Sequence, residues 1–321
     1  MERIYRKYVT RRYKDQTSDI INKAHLIINR YMEMDLILTL RQLYYQFVAG
    51  DLLPEAWTDK KTGSTNNERS YKKLGSIVTN ARKSGSLPWN GIEDRTRPFH
   101  DYNSWETPAD LVEFTANTFT SAIWDDMPVY PEIWVEKDAL SGIIEIPAKQ
   151  FQIPWMAAKG YMSIDSKWRA AQRIIKRFEE NGQDTVVIYL GDHDPSGIDM
   201  IRDIRDQLEV FIDGCEALPQ VLPIALTIEQ INDHKLPPNP TKLTDSRAKD
   251  YLQKYGAESW ELDALDPTYL VDLIRKSIRQ YMPDYVWKKK IAEDNRGKDL
   301  LRMISIELRE QWKNRNEKNS H

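Results

Sequence analysis

A single cysteine, Cys215, stands among 321 residues, so no disulfide can form within the chain. Histidine is scarce too: there are five, scattered, with no Cys/His set at the spacing of a zinc site. Any metal the chain holds must therefore be held by carboxylates, which favours Mg²⁺, with Mn²⁺ as the other candidate. No apolar run approaches the roughly 20 residues that span a bilayer. The basic opening MERIYRKYVTRRYK is not followed by the apolar stretch of a secretory signal. A cytoplasmic protein with no membrane contact is expected. No Gly-rich phosphate loop or other ATP-binding signature occurs, and neither does an internal repeat. What is present is an ordinary globular composition, 40% apolar and 30% charged, on a chain long enough for two domains.

The net charge of −3 hides an asymmetry. Residues 1–100 carry 18 Lys and Arg against 11 Asp and Glu, whereas residues 101–128 carry six acids and neither Lys nor Arg. A basic front on an acidic body is the electrostatic footprint of a polyanion binder, or else merely a solvated basic surface. Within the front, Ile20, Ile21, Ala24, Ile27, Ile28, Tyr31 and Met32 form a helical stripe over 18–32, with Thr17 or Ser18 as N-cap. A second helix follows Thr39 with Leu40, Leu43, Tyr44, Phe47 and Val48 inward, and Gly50 closes it. A third spans about 68–84 with Tyr71, Leu74, Ile77, Val78 and Ala81 inward. Its other face, Arg69, Lys72, Lys73, Ser76, Asn80 and Lys83, makes one basic ridge. Three short helices followed by a hairpin-like SLPWNGIEDRTRP predict a helix-turn-helix with a wing over residues 1–100.

Residues 101–128 read as a helical connector, and from 131 the pattern changes. PEIWVE, QIPWMAA, DTVVIYL and VLPIALT read as strands alternating with helices that begin near Asp138, Ser163 and Ser196. The Ser163–Asn181 helix is expected to turn Trp168, Ala171, Ile174, Ile175 and Phe178 inward. Such alternation predicts an α/β domain at 129–235, a parallel sheet with right-handed crossovers, whose ligand-facing groups lie past the carboxyl ends of strands. A mainly helical extension, 236–321, completes the chain, with Leu270, Leu273, Ile274 and Ile278 inward.

Two acidic sites fall at those strand ends: Glu136 in IWVEKDAL, and Asp192 with Asp194 in GDHDPSG. On an extended segment the two side chains of D-x-D point the same way, so both can reach one cation while His193 packs elsewhere. A helix opening at Pro195 to Gly197 would aim its positive end at the same spot. A lone D-x-D could instead be a helix cap. With Glu136 on a neighbouring strand, the arrangement resembles the Toprim domain of topoisomerases, bacterial primases and related nucleases. V-E-K-D-A at 135–139, K-G-Y at 159–161 and D-x-D-P-x-G at 192–197 are similar to the A subunit of topoisomerase VI and its meiotic break-forming relatives. That likeness covers about residues 130–230.

This family joins the Toprim domain to an upstream CAP-like winged helix with a catalytic tyrosine in a segment like T-x-R-x-x-Y-Y, and residues 39–45 here read T-L-R-Q-L-Y-Y. The resemblance assigns the nucleophile to Tyr45. Helix geometry points the same way, because Tyr44 lies on the apolar stripe whereas Tyr45 shares a face with Arg41, four residues earlier. A nearby cation would favour the phenolate and bind the phosphate it attacks. Without the family, a tyrosine pair on a helix reads as packing. The implied reaction is in-line attack on a DNA phosphodiester, giving a 5′-phosphotyrosyl bond and a free 3′-hydroxyl. Glu136, Asp192 and Asp194 would hold Mg²⁺. Arg41, Lys159, Lys72, Lys73, Arg82 and Lys83, with Arg95 and Arg97 from the wing, would neutralise phosphates of double-stranded DNA. The family also implies a homodimer, in which each tyrosine works with the Toprim metal of the other protomer, and a separate ATPase subunit for strand passage, and a prokaryotic, viral or mobile-element setting is expected. The chain departs from the family in its compactness, in Met162 after K-G-Y and in an insertion at 51–67, and SWELDALDP matches only loosely. Two rival expectations are a Toprim nuclease, in which metal-bound water cleaves and Tyr45 only packs, and a noncatalytic DNA-binding protein.

Overall fold

The computed structural model describes residues 2–60, 62–94, 102–240 and 248–319. Helix α1, Asp15–Glu33, buries Ile20, Ile21, Ala24, Ile28, Tyr31 and Met32, the stripe its sequence spells out. It opens at Lys14, upstream of Thr17 and Ser18, with no side-chain cap and with Asp15 in the first turn to offset the helix dipole. Helix α2, Leu40–Ala49, starts with a capping box: Gln42 N donates to Thr39 Oγ1 at 3.2 Å, and Thr39 N donates to Gln42 Oε1 at 2.8 Å. Helix α3, Glu68–Lys83, is capped by Asn67, which accepts from Ser70 N at 2.9 Å, and buries Leu74, Val78 and Ala81 against the other two. The expected wing hairpin takes a different form where it is described. Residues 86–94 hold a 3-10 turn, Trp89–Gly91, and a single parallel bridge from Ile92 to Leu38, with no antiparallel strand pair. The Arg82 guanidinium stacks over the Trp89 ring at 4.8 Å and donates to the carbonyls of Trp89 and Ile92, holding the segment as a turn.

Helix α4, Pro108–Thr118, lies in the acidic segment, and the sheet follows it. Strand β1 is Val129–Val135; after a 3-10 turn at Asp138–Leu140 come helix α5, Ser141–Phe151, and strand β2, Trp155–Ala157. Helix α6, Ile164–Asn181, leads to strand β3, Asp184–Leu190, then helix α7, Pro195–Ile212, strand β4, Gln220–Ala225, and helix α8, Ile228–Asp233. The order is β2-β1-β3-β4, a parallel four-stranded sheet whose first and last strands each pair parallel with their neighbours. Helices α6 and α7 pack Ala170, Ala171, Ile174, Ile204 and Leu208 onto Trp134, Val187 and Tyr189. Trp168, expected inward, is 48% exposed. The buried stripe of α6 is Lys167, Ala170, Ala171 and Ile174, about 100° around the axis from Trp168, and Lys167 is drawn in by its ion pair with Asp203 of α7.

Beyond the sheet, strand β5, Asn239–Pro240, pairs antiparallel with strand β6, Glu258–Ser259, and helix α9, Ala248–Tyr255, lies between them in sequence. A 3-10 turn at Leu262–Ala264 precedes helix α10, Pro267–Arg279, which buries Leu270, Ile274 and Ile278. Helix α11, Asp284–Asn319, is the longest element, 36 residues. The chain forms two compact units, 1–98 with 131–277, and 99–130 with 278–321. Inside the second, the acidic segment finds its counter-charges on α11. Arg309 pairs with Asp110 at 2.8 Å and Glu113 at 2.7 Å, and the buried Lys290 ammonium reaches Thr120 Oγ1 at 2.8 Å and Asp294 at 3.0 Å. Among the described residues no helix is long and apolar enough to cross a membrane.

Candidate functional site

Because β1 and β3 are neighbours in the sheet, the residues that follow them meet. Glu136 N donates to Leu190 O at 2.8 Å, and two residues later Asp192 N donates to Glu136 Oε2 at 2.8 Å. Asp192 Oδ1 accepts from Leu262 N at 2.8 Å, and Asp194 Oδ1 accepts from Gly197 N at 2.7 Å as the cap of α7. The helix-cap reading of the D-x-D holds for Asp194, which also borders the acidic cavity. Gly197 makes this turn possible: a Cβ there would sit 2.2 Å from Asp192 O. Glu136, Asp192 and Asp194 all line one cavity of about 480 Å³. His193 points away from it, 2% exposed, with Nδ1 2.8 Å from the Tyr251 hydroxyl. Burial lowers its pKa, so the ring stays neutral, and it is Tyr251 and not the cavity that the ring meets.

His193 has a second role, through its backbone. Its N–H donates to Trp260 O at 2.9 Å and its carbonyl accepts from Trp260 N at 3.0 Å, which clamps residues 258–260 onto the D-x-D loop. That pairing delivers Glu261 and Asp263 to the cavity. Lys137 Nζ then sits among three carboxylates, at 3.0 Å from Asp192 Oδ2, 2.9 Å from Glu261 Oε2 and 2.8 Å from Asp263 Oδ1. Arg41, from α2, ion-pairs with the same Glu261 and, through Nε, with Asp263 Oδ2 at 3.0 Å. Lys137, Glu261 and Asp263 were not among the residues singled out from sequence. The signals for them were the cation beside Glu136 in V-E-K-D and the second acidic alternation, E-L-D, in SWELDALDP.

The charge balance of this cavity is negative. Six carboxylates, Glu136, Asp138, Asp192, Asp194, Glu261 and Asp263, face three cationic side chains, Arg41, Lys137 and Lys159. Burial, with Asp194 and Asp263 adding repulsion, raises the pKa of Glu136 despite the Asp192 N–H and Lys137. Burial likewise outweighs the Lys137 charge at Asp192, and repulsion from Glu136 and Asp263 adds to it, so its carboxyl is pushed up to about 7. Carboxylates this short of positive charge fit a hard divalent cation by donor chemistry. Their spacing is not yet that of a closed site: among the described residues no three His, Cys, Asp or Glu side chains converge to hold a metal ion. Lys137 holds the oxygen of Asp192 that such an ion would need.

Tyr44 and Tyr45 divide their roles in the structure. The Tyr44 hydroxyl accepts from Asn67 N at 2.8 Å and lies 3.1 Å from Asn67 O, pinning the start of α3. Tyr45 borders a smaller cavity, about 200 Å³, whose wall includes Arg41, Asn239 and Glu261, and these three also line the acidic cavity. The Arg41 guanidinium carbon lies 5.8 Å from the centre of the Tyr45 ring, as the four-residue spacing predicts. Tyr45 is nonetheless 3% exposed, not turned to solvent. Burial raises its pKa and Asp263 and Glu261 raise it further, against the opposing pull of Arg41 and Asn239. Arg41 does pull toward the phenolate, but burial and the two carboxylates outweigh it, so the resting side chain is a phenol.

The basic residues separate as well. Lys72 is exposed on α3 and pairs with Glu68 at 2.6 Å, Lys73 lies 5.1 Å over the Trp57 ring, and Lys83 is exposed at the end of the helix. Arg82 turns away from Lys72 and Lys73, its Nη2 donating to the Trp89 and Ile92 carbonyls. Lys159, in a left-handed turn at φ 55°, reaches Asp138 at 3.1 Å on the cavity rim. Arg95 and Arg97 lie outside the described residues. No protein-family model matches this chain, and no curated protein matches it.

Proposed function

We propose that this chain is a DNA-cleaving transesterase in which Tyr45 is the nucleophile and Glu136, Asp192 and Asp194 hold Mg²⁺, on a winged-helix module joined to a Toprim sheet. The observation that carries this reading is the common wall of Arg41, Asn239 and Glu261 between the tyrosine cavity and the acidic cavity. It sets Tyr45, a guanidinium and a carboxylate cluster beside one another, as a transesterase reading needs. In the reaction the Tyr45 oxygen bonds to phosphorus and the bond to the 3′ oxygen breaks. The phenol loses its proton and the 3′ oxygen gains one. A divalent cation held by the three acids would stabilise charge on the phosphate and the departing oxygen. Arg41 would pass from its carboxylates to a phosphate oxygen, a pairing its planar fork suits. Removing Arg41 from the wall would also open Tyr45 to the backbone of the substrate.

A symmetric homodimer would carry two such centres, one for each strand of a duplex. Strand passage coupled to ATP would require a separate ATPase subunit. Incubation with supercoiled DNA and Mg²⁺, then denaturation, is expected to leave protein on 5′ ends. Tyr45→Phe and Asp192→Ala should each abolish that adduct, and an adduct that persists in Tyr45→Phe overturns the nucleophile assignment. The burial of Tyr45 favours a second reading, a metal-dependent nuclease in which the tyrosine only packs. It predicts free 5′-phosphates, formed by Tyr45→Phe and not by Asp192→Ala.

A further inference from the structure

We propose that the Lys137 ammonium is a built-in stand-in for the divalent cation, neutralising Asp192 when no ion is bound and giving way when one enters. This rests on the metal reading above and adds a residue to it. The Lys137 ammonium donates hydrogen bonds to Glu261 Oε2 at 2.9 Å and Asp263 Oδ1 at 2.8 Å, and faces Asp192 Oδ2 at 3.0 Å as an ion pair. Only Asp192 among these belongs to the proposed ligand set. Releasing Asp192 therefore breaks an ion pair and no hydrogen bond, and the bonds to Glu261 and Asp263 keep the lysine in place as it withdraws. Asp263 is 1% exposed and Asp192 10%, so neither carboxylate can rely on water for compensation. The structure supplies the missing charge from the residue next to Glu136, the position from which a four-carbon stem can both fill and vacate the site. Cation binding is then a competition, weaker than the bare acids would give by the strength of the Lys137–Asp192 pair.

The test is Mn²⁺ binding, followed by the electron paramagnetic resonance of the free ion, on the full chain as wild type, Lys137→Met and Lys137→Arg. Lys137→Met is expected to bind Mn²⁺ at least about tenfold more tightly than wild type, because a positive charge a few ångströms away is gone. Lys137→Arg, which keeps that charge, should bind no more tightly than wild type. If wild type binds and Lys137→Met binds equally or less tightly, the stand-in role falls and the metal reading survives. If no form binds Mn²⁺, both fall together. Should Lys137→Met fail to fold, wild type labelled with ¹⁵N-lysine decides the matter. The ion-paired Lys137 ammonium, assigned by its loss in Lys137→Arg, should shift on saturation with Mg²⁺, and a resonance that does not move overturns the proposal.

Discussion

Asp266 and Tyr31 show how a single hydrogen bond ties distant residues together within the first unit. The Tyr31 hydroxyl donates to Asp266 Oδ2 at 2.6 Å, and Thr268 N donates to Oδ1 at 2.8 Å. Burial by itself would raise the Asp266 carboxyl, but the bonds from Thr268 and Tyr31, with Arg30 nearby, outweigh it and hold the group below the usual aspartate range. A carboxyl whose pKa is depressed by folding lends stability above its unfolded value, near 3.9, and that contribution is lost as pH falls through the folded one. The thermal midpoint of wild type is therefore expected to fall between about pH 5 and pH 3, and Asp266→Asn to flatten part of that fall. A scan in which the two proteins lose stability in parallel removes Asp266 from the account. Tyr45 sits differently. It is also buried, but among carboxylates that hold its proton on, so any nucleophilic role requires the wall of Arg41 and Glu261 to move first.

At the scale of elements, helix α2 is the part most plainly written in the sequence. Thr39, Gln42 and Gly50 mark both its ends, and the capping box predicts a cost of about 1 kcal/mol for Thr39→Ala. Urea denaturation monitored by circular dichroism checks this, and a loss within error of zero would mean that tertiary contacts alone set the helix start. Glu136 and the D-x-D were legible for a similar reason, since strand ends and their acids are marked by runs of neighbouring residues. Helix α6 was legible in extent and not in rotation. Trp168 is the largest apolar side chain on it, yet the small Ala170 and Ala171 are what let the helix approach the sheet. Arg82 lies off the face of the basic ridge, and the carbonyls it meets belong to a turn whose path no periodicity specifies.

For the molecule as a whole, the basic front residues 1–100 set the expectation for DNA. Replacing exposed Lys72 and half-buried Lys73 together by Glu should weaken binding to duplex DNA uniformly across sequences. It should also lower the slope of log affinity against log salt by about 2, on the counterion-release scale of roughly 0.9 per phosphate contact. An unchanged slope in a fluorescence-anisotropy titration would take α3 out of the interface. The sequence by itself determined the α/β alternation, the placing of Glu136, Asp192 and Asp194 beyond strand ends, and the shared helix face of Arg41 and Tyr45, because each follows from the period of its own element. Tertiary structure decided the rest. The backbone pairing of His193 with Trp260 brought Glu261 and Asp263 beside Lys137 and Arg41. Which charges cancel in a desolvated cavity depends on segments joined only when the chain closes on itself, and no local pattern encodes that meeting.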